Sequence, residues 1–282
     1  MLVICNCAER CFCACAVEPD VQGHVVIPST WTSVRSDSFR NCVPLVTITI
    51  HNGIQVVASH AFQGCINLKI VIIPAGLTSI GFNAFVGCVS LTTITIPDSV
   101  KEIATQAFLK CAGLTAITIP KGVTKINFNT FNGCSRLATV TIPDGVTEVD
   151  SNAFASCTAL SAIALPKSVT RVGNHSFNAC SNLTTASLPG VTNIGYAAFN
   201  GCSNLINVKI SDSALSIQAH AFTACGCASE LFVAGATVCN CTTCAPSTSP
   251  TTSPTSLVSC QRYHPCLLCS TQAQAVQRWP QT

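Results

Sequence analysis

Residues 88–108, CVSLTTITIPDSVKEIATQAF, recur in outline as CAGLTAITIPKGVTKINFNTF at 111–131 and as CSRLATVTIPDGVTEVDSNAF at 134–154. A phenylalanine followed three residues later by a cysteine marks this repeat nine times, in steps of 23 residues with one step of 22. A fixed period of this length predicts a solenoid, in which each unit buries its apolar face against its neighbours. The nine pairs are Phe39/Cys42, Phe62/Cys65, Phe85/Cys88, Phe108/Cys111, Phe131/Cys134, Phe154/Cys157, Phe177/Cys180, Phe199/Cys202 and Phe222/Cys225.

Each unit contains one predicted strand. In the unit that begins at Cys88, alternation directs Ile94 and Ile96 into the core and Thr93 and Thr95 outward. The proline that follows, here Pro97, cannot donate a hydrogen bond to a ladder and therefore ends the pairing. The pattern predicts ten strands, centred near residues 26, 49, 72, 95, 118, 141, 164, 187, 209 and 232. The short step falls at residues 188–191, in the turn after a strand, where one deletion need not shift the register.

The repeated pattern A-F-x-G-C-x-x-L-x-x-I-x-I-P-x-x-V-x-x-I resembles the BspA-like (Treponema pallidum-type) leucine-rich repeat family over about residues 21–233. The resemblance implies a leucine-rich repeat solenoid of α/β type with about nine to ten 23-residue repeats. It also implies a mostly parallel β-sheet on the concave side, with short helical or irregular segments on the convex side. The family resemblance further implies a protein at the cell surface or secreted, which binds other proteins, extracellular matrix or cells.

The chain outside the solenoid has a different composition. We expect a cysteine-rich segment at 1–20, the solenoid at 21–233, a second cysteine-rich segment at 234–244, and a linker or O-glycosylated stalk rich in Ser, Thr and Pro at 245–256. Residues 257–282 show no strong period and are predicted to be irregular. The first twenty residues lack the uninterrupted apolar stretch of a secretory signal, which leaves a cytoplasmic location as the alternative.

Composition and motifs disfavour several classes of function. Charged residues make up 9% of the chain and the net charge is +3, too little to neutralise a nucleic-acid backbone. No apolar run reaches the length of a membrane span. The sequence contains none of the common nucleophile, zinc-protease, P-loop or dinucleotide motifs, and its acidic residues are scattered in turns. We therefore predict no enzymatic activity, no cofactor and no metal site.

The histidines invite a catalytic interpretation, but their positions argue against it. His60, His175 and His220 each lie two residues before a repeat phenylalanine, where other units have Asn or Gln. A position shared by these residue types is typical of a turn that bonds backbone groups. His24, His51 and His264 lie near the edges of the repeat region and show no relation to a serine or an acid. We interpret the histidines as structural.

The 21 cysteines divide into nine that follow the repeat and twelve outside it. The nine are expected to stack as buried thiols, since their side chains leave equivalent positions in parallel directions. The spacing of Cys241-x-x-Cys244 and Cys266-x-x-Cys269 permits a zinc ribbon, but the tract between them is broken by proline, which favours disulfides or unstructured thiols. The twelve are Cys5, Cys7, Cys11, Cys13, Cys15, Cys227, Cys239, Cys241, Cys244, Cys260, Cys266 and Cys269.

The outward strand positions are the candidate binding site. They form a flat, almost uncharged surface of small hydroxyl and methyl groups, which favours contact with a protein, matrix or cell-surface ligand over a small-molecule pocket. Two alternatives are self-association into a surface layer, linked through the tail cysteines, and ice binding through the Thr-x-Thr pairs at 47/49, 93/95 and 139/141. The candidate residues are Thr47, Thr49, Ile70, Ile72, Thr93, Thr95, Thr118, Thr139, Thr141, Thr185, Ser187 and Lys209.

Overall fold

The computed structural model describes residues 15–210 and 216–226, and the backbone of two further strands at 231–233 and 236–238. Within these residues the chain forms a parallel β-solenoid, as the 23-residue period predicts. The segments between strands are turns, and no helix occurs in the described part of the chain. The predicted convex segments are therefore irregular there, and the predicted short helices are absent. The segment predicted at 245–256, the tail at 257–282 and most of 234–244 lie outside the described residues.

The strands form two rows, one on each side of the core. The first row lies at the predicted positions and comprises β1 (His24–Val26), β2 (Thr47–Thr49), β4 (Ile70–Ile72), β7 (Ala116–Thr118), β9 (Thr139–Thr141), β11 (Ala162–Ala164), β13 (Thr185–Leu188), β15 (Asn207–Ile210) and β17 (Leu231–Val233). Its strands pair in parallel within three sheets, with breaks between β4 and β7 and between β9 and β11. The last strand, β18 (Ala236–Val238), pairs antiparallel with β17. The short step is absorbed as predicted, since β13 pairs with β15 from Thr185↔Asn207 to Leu188↔Ile210 without a break.

The second row consists of two-residue strands that the sequence pattern does not distinguish, because alternation over two residues is too short to detect. In each of them the second residue is the more buried, as Ile103 and Val149 illustrate. The row comprises β3 (Val56–Val57), β5 (Ser79–Ile80), β6 (Glu102–Ile103), β8 (Lys125–Ile126), β10 (Glu148–Val149), β12 (Arg171–Val172), β14 (Asn193–Ile194) and β16 (Ser216–Ile217).

The strand predicted near residue 95 is absent, and this prediction was wrong. The first row is interrupted there, so that β1-β2-β4 and β7-β9 belong to separate sheets. Ile94 and Ile96 nevertheless remain buried, with Thr93 and Thr95 exposed between them. The alternation therefore persists without the ladder, because inward packing of Ile94 and Ile96 is enough to hold the segment in place.

Nine phenylalanine rings form a continuous stack through the core. Neighbouring ring centroids from Phe39 to Phe222 lie 5.0–5.5 Å apart, with the planes within 13° of parallel. At the amino-terminal end, Trp31 packs at 40° against Phe39, and the Arg35 guanidinium carbon lies 5.9 Å from the centre of the Trp31 ring. The aromatic column is thus covered at this end by a tilted indole instead of another repeat.

Two turn positions per unit have positive φ. One lies two residues before the phenylalanine and holds His60, Asn83, Asn152 and their equivalents at φ of 51–60°. Asparagine and small residues tolerate this left-handed region best, and glycine adopts it without a steric clash because it has no Cβ. The second position lies two residues after the phenylalanine, where Gly64 and three other glycines alternate with non-glycine residues such as Lys110. The repeated Asn, Gln and His are therefore turn residues, as the sequence indicated.

The first cysteine of the repeat differs from the prediction. Cys42 forms a disulfide with Cys15, a residue assigned to the amino-terminal segment, so Cys42 is not a thiol and the expected division of the cysteines was wrong. The Ala16 amide bonds the Ser38 carbonyl in the same way that the Phe39 amide bonds the Ala61 carbonyl. Ala16 thus occupies the phenylalanine position of an earlier turn, and this places the Cys15 sulfur beside the first ladder cysteine.

The other eight repeat cysteines are thiols, as predicted. Each Sγ–H donates to the carbonyl oxygen of the phenylalanine one unit earlier, at 2.8–3.2 Å; the bond from Cys134 to Phe108 is one example. Burial raises the pKa of the Cys134 thiol to about 12, and it raises the pKa of Cys88, Cys111 and Cys157 well above the ordinary value. These groups remain protonated at neutral pH and act as small apolar residues bonded to the backbone.

The thiols are not the nine equivalent buried groups that the sequence predicted, and three of them show the difference. Cys65, instead of Cys42, is the first thiol of the row, because Cys42 is used in the disulfide. A hydrogen bond with the Cys180 thiol is the main cause that raises the pKa of Cys202, ahead of burial, so these two side chains also contact each other. Cys225 is only partly buried, since it lies near the carboxy-terminal end of the described core. The prediction of uniform burial was therefore wrong at Cys225.

Strand β1 lies at the amino-terminal edge of the first row. The amide of His24 donates to Asp20 Oδ1 at 2.8 Å, and the His24 carbonyl accepts from the Asp20 amide at 3.0 Å. A turn closed by the bond from the Gly23 amide to the Asp20 carbonyl holds Asp20 in this position. The outward backbone groups of His24 are therefore bonded within the chain, although among the described residues β1 pairs with β2 alone.

Candidate binding surface

The outward side chains of the first row form the strand face, defined as the outward residues of β1, β2, β4, β7, β9, β11, β13 and β15 together with Thr93 and Thr95. Parallel pairing places them in rows, for example Thr118 beside Thr141 and Ala164 beside Ser187. Neighbours in such a row are about 4.8 Å apart, the spacing between paired strands. The structure thus brings the predicted candidate residues together on one side of the solenoid.

The exposure of these residues varies along the strand face. Thr93, Thr95, Thr118, Thr139 and Thr141 are exposed, whereas Thr47, Thr49, Thr185 and Ser187 are half-buried. Lys209 is exposed and brings a charge to the carboxy-terminal end of the face. Between Thr47 and Ser187 the outward residues of the strand face carry no charge. Covering this part of the face with a partner would therefore require no desolvation of charged side chains.

An apolar patch lies at the amino-terminal end of the strand face. Ile70 and Ile72 are 52% and 50% exposed, and Val26 is 58% exposed. The register aligns Val26 with Thr49 and Thr49 with Ile72, so one threonine separates Val26 from Ile72. The predicted rows began at Thr47 and missed His24 and Val26. The match of Val25-Val26-Ile27-Pro28 to the repeat was the sequence signal that could have added them.

The opposite face carries an ion-pair network instead. Glu148 contacts Lys125 at 3.4 Å and Arg171 at 2.7 Å, and Lys125 also contacts Asp150 at 2.9 Å. Partial burial alone would raise the pKa of Asp150, but the hydrogen bond from Lys125, the Ser151 amide and the charge of Arg171 together lower it. The hydrogen bond to Asp150 raises the pKa of Lys125 in turn. Each charged side chain of the network contacts one of opposite charge, so the network is of the kind that stabilises a protein surface.

The histidines contact aromatic rings and turn atoms. His60 packs edge-on against Phe82, and Tyr196 lies between His175 and His220 with ring centroids 5.3 and 5.5 Å away. His51 bonds the Pro28 carbonyl through Nε2 and the Gly53 amide through Nδ1. In the described part of the chain, no three His, Cys, Asp or Glu side chains are grouped so that they could hold a metal ion. His264 and the cysteine pairs at 241/244 and 266/269 lie outside that part.

The chain belongs to the BspA type leucine rich repeat family. The family matches in six copies over residues 6–115 and 101–228, which is most of the chain and includes the whole strand face. No curated protein matches the chain at a significant level. Nor does any helix among the described residues have the length and apolar character needed to cross a membrane.

Several solved leucine-rich repeat structures are similar to this chain. A leucine rich cell surface protein from Faecalibacterium prausnitzii A2-165 is 31% identical, with a TM-score of 0.59, over 72% of this chain and 67% of that one. A leucine-rich repeat protein from T. pallidum is 25% identical over 67% of this chain and 72% of that one, with a TM-score of 0.33. A leucine-rich repeat protein from Bacteroides ovatus is 22% identical over 71% and 72%, with a TM-score of 0.39.

Proposed function

We propose that this chain is a non-enzymatic binding protein, located at the cell surface or secreted, whose strand face contacts a protein, extracellular-matrix or cell-surface ligand. The observation that carries the proposal is the uncharged surface that runs from Thr47 to Ser187, with Thr95, Thr118 and Thr141 near its middle. Threonine exposes one hydroxyl and one methyl group on a short side chain, so that little conformational entropy is lost when a partner covers it.

The family and the relative from Faecalibacterium prausnitzii, which is described as a cell surface protein, support the location. The exposed apolar side chains of Val26, Ile70 and Ile72 would form the part of the contact with the largest hydrophobic contribution. A partner would bury this patch together with the neighbouring threonines, and its own contact surface would be correspondingly low in charge.

The test replaces Thr95, Thr118 and Thr141 together with arginine, which adds three charges to the middle of the strand face. Binding of the fluorescently labelled protein to decellularised matrix and to intact cells is then measured at physiological salt. We expect saturable binding by the native sequence and its loss in the triple variant, with an unchanged circular dichroism spectrum. These side chains point away from the core, so the fold is expected to tolerate the change.

A matched control places the same three charges elsewhere. Gln55, Thr124 and Thr170 are exposed outside the strand face, and their replacement by arginine should leave binding intact. Equal binding by both variants would move the contact away from the strand face. Absence of binding by the native protein to both matrix and cells would contradict the adhesion proposal itself. Sedimentation of the native protein tests the alternative of self-association, which predicts multimers that reductant dissociates.

A further inference from the structure

Within the described part of the chain, the unit that contains β1 and Phe39 has a complete neighbouring unit on one side only. In repeat proteins, stability is approximately the sum of each unit and its interfaces, so a terminal unit opens more readily than a central one. Beyond the turn at Asp20, the segment that precedes this unit contacts it through the bond from the Ala16 amide to the Ser38 carbonyl at 2.8 Å and through Val17, which packs on the core. Among the described residues that precede β1, these contacts and the Cys15 side chain are what holds the segment to the core.

The Cys15–Cys42 disulfide links the segment before β1 covalently to the amino-terminal unit. The two residues are 27 positions apart, with Cα atoms at 5.3 Å, and the loop between them contains β1, Trp31 and Phe39. The loop thus includes the first strand of the strand face and the first ring of the phenylalanine stack. Cross-linking the ends of a loop restricts its open states, so opening of this unit becomes rarer while the bond is intact.

The buried thiols in the middle of the row do not compete with the disulfide for reducing or alkylating reagents. Cys88, Cys111, Cys134 and Cys157 are fully buried and bonded to carbonyl oxygens, and burial raises the pKa of each thiol. The thiolate is the reactive form of cysteine, so these groups react slowly with disulfides and alkylating agents. Within the disulfide, Cys15 is 8% exposed and its partner is 0% exposed, so Cys15 is the more accessible residue of the pair.

We propose that the Cys15–Cys42 disulfide is a redox latch, which closes the amino-terminal unit in an oxidising compartment and releases it in a reducing one, while the rest of the solenoid stays folded. Reduction by a dithiol begins when its thiolate attacks Cys15 Sγ, breaks the disulfide and releases Cys42 as a thiolate that takes up a proton. The second thiol of the reagent then attacks the mixed disulfide and releases Cys15. The dithiol is oxidised to a cyclic disulfide, and both cysteines gain a hydrogen.

The experiment compares the native chain with and without dithiothreitol. Trypsin cleavage is followed at Arg35 and Arg40, which are exposed and lie inside the loop, and at Lys110, which is exposed in a central unit. Reduction should accelerate cleavage at Arg35 and Arg40 by at least ~tenfold, because the loop loses its covalent constraint, and should change cleavage at Lys110 less than about twofold. Iodoacetamide after reduction should label both latch cysteines but not the buried thiols at 111 and 134, as mapped by mass spectrometry.

The variant Cys15→Ser provides the control, because it removes the latch without changing a ladder residue. It should be cleaved quickly at Arg35 and Arg40 in the absence of reductant and should not respond to its addition. Equal cleavage of the oxidised and reduced native chain would overturn the proposal, as would a disulfide that joins Cys42 to a cysteine other than Cys15. Neither measurement involves a binding partner, so its outcome is independent of the proposed function.

Discussion

Ser176 is the position at which a single substitution should make the protein more stable. Its side chain is fully buried, and its Oγ has no hydrogen-bond partner. The residue directly before the repeat phenylalanine is alanine in most units, including Ala153 in the preceding one. Thr130 also places a hydroxyl at this position, but its Oγ1 donates to the Asn127 carbonyl at 2.7 Å. Ser176 therefore has the cost of a buried hydroxyl without the compensating bond.

Replacement of Ser176 by alanine removes this cost and leaves no cavity larger than one oxygen atom. A buried polar group without a partner costs about 1–3 kcal/mol, so the free energy of unfolding should rise by about that amount. For a chain of this size, the melting temperature should increase by roughly 2–4 °C per kcal/mol. The measurement is a urea titration followed by circular dichroism, with the midpoints of the two proteins compared under identical conditions.

The reverse substitution provides a matched control. Ala153 is fully buried at the equivalent position, and Ala153→Ser should lower the unfolding midpoint by a similar amount. If Ser176→Ala leaves the midpoint unchanged or lowers it, the Ser176 hydroxyl must gain a bond in solution, and the reasoning from the unpaired oxygen is refuted. A neutral result for Ala153→Ser would show that this layer of the core accommodates a hydroxyl at no cost.

Two further predictions concern the core stack and the ion-pair network. Phe131→Ala removes a fully buried ring stacked between Phe108 and Phe154. The substitution should lower the free energy of unfolding by about 3–5 kcal/mol, as measured by chemical denaturation. A loss below about 1 kcal/mol would show that the stack contributes little. Because the pKa of Asp150 is lowered in the folded state, its stabilising effect is present at neutral pH and is lost as the pH falls through that value. Asp150→Asn should therefore cost up to about 1 kcal/mol at pH 7 and progressively less as the pH is lowered in parallel urea titrations. A cost that does not change with pH would contradict the proposed role of the Lys125 contact.

The sequence predicts the packing of this protein better than its hydrogen bonding. Ile94 and Ile96 point inward as their alternation indicates, yet the ladder expected between their strand and its neighbours does not form. Alternation records which side chains are apolar, and this determines the buried side of a strand. Ladder formation depends on hydrogen bonds between the backbones of neighbouring units, which the alternation of side chains does not record. The repeated Asn, Gln and His were correctly interpreted as turn residues because positive φ selects among side chains.

The disulfide shows a different limit. Cys15 precedes the first Phe-x-x-Cys marker of the repeat, and Ala16 has none of the size that marks a phenylalanine position. Only the backbone bond to Ser38 shows that this residue continues the repeat. On the strand face, the repeat pattern predicted the rows correctly and missed His24 and Val26, because the unit that contains them lacks the preceding Phe-x-x-Cys marker. Periodicity is therefore least informative at the ends of an array, where a unit can keep its backbone path after losing its characteristic side chains.

The bonds between Asp20 and His24 have a consequence for assembly. A parallel solenoid ends in a strand whose outward amide and carbonyl could accept a strand from another molecule and extend the sheet without limit. In β1 both of these groups on His24 are already bonded to Asp20, once through its carboxylate and once through its backbone amide. An incoming strand would have to displace a charge-assisted hydrogen bond before gaining its own first bond. The two bonds from Asp20 therefore oppose the addition of a strand at His24.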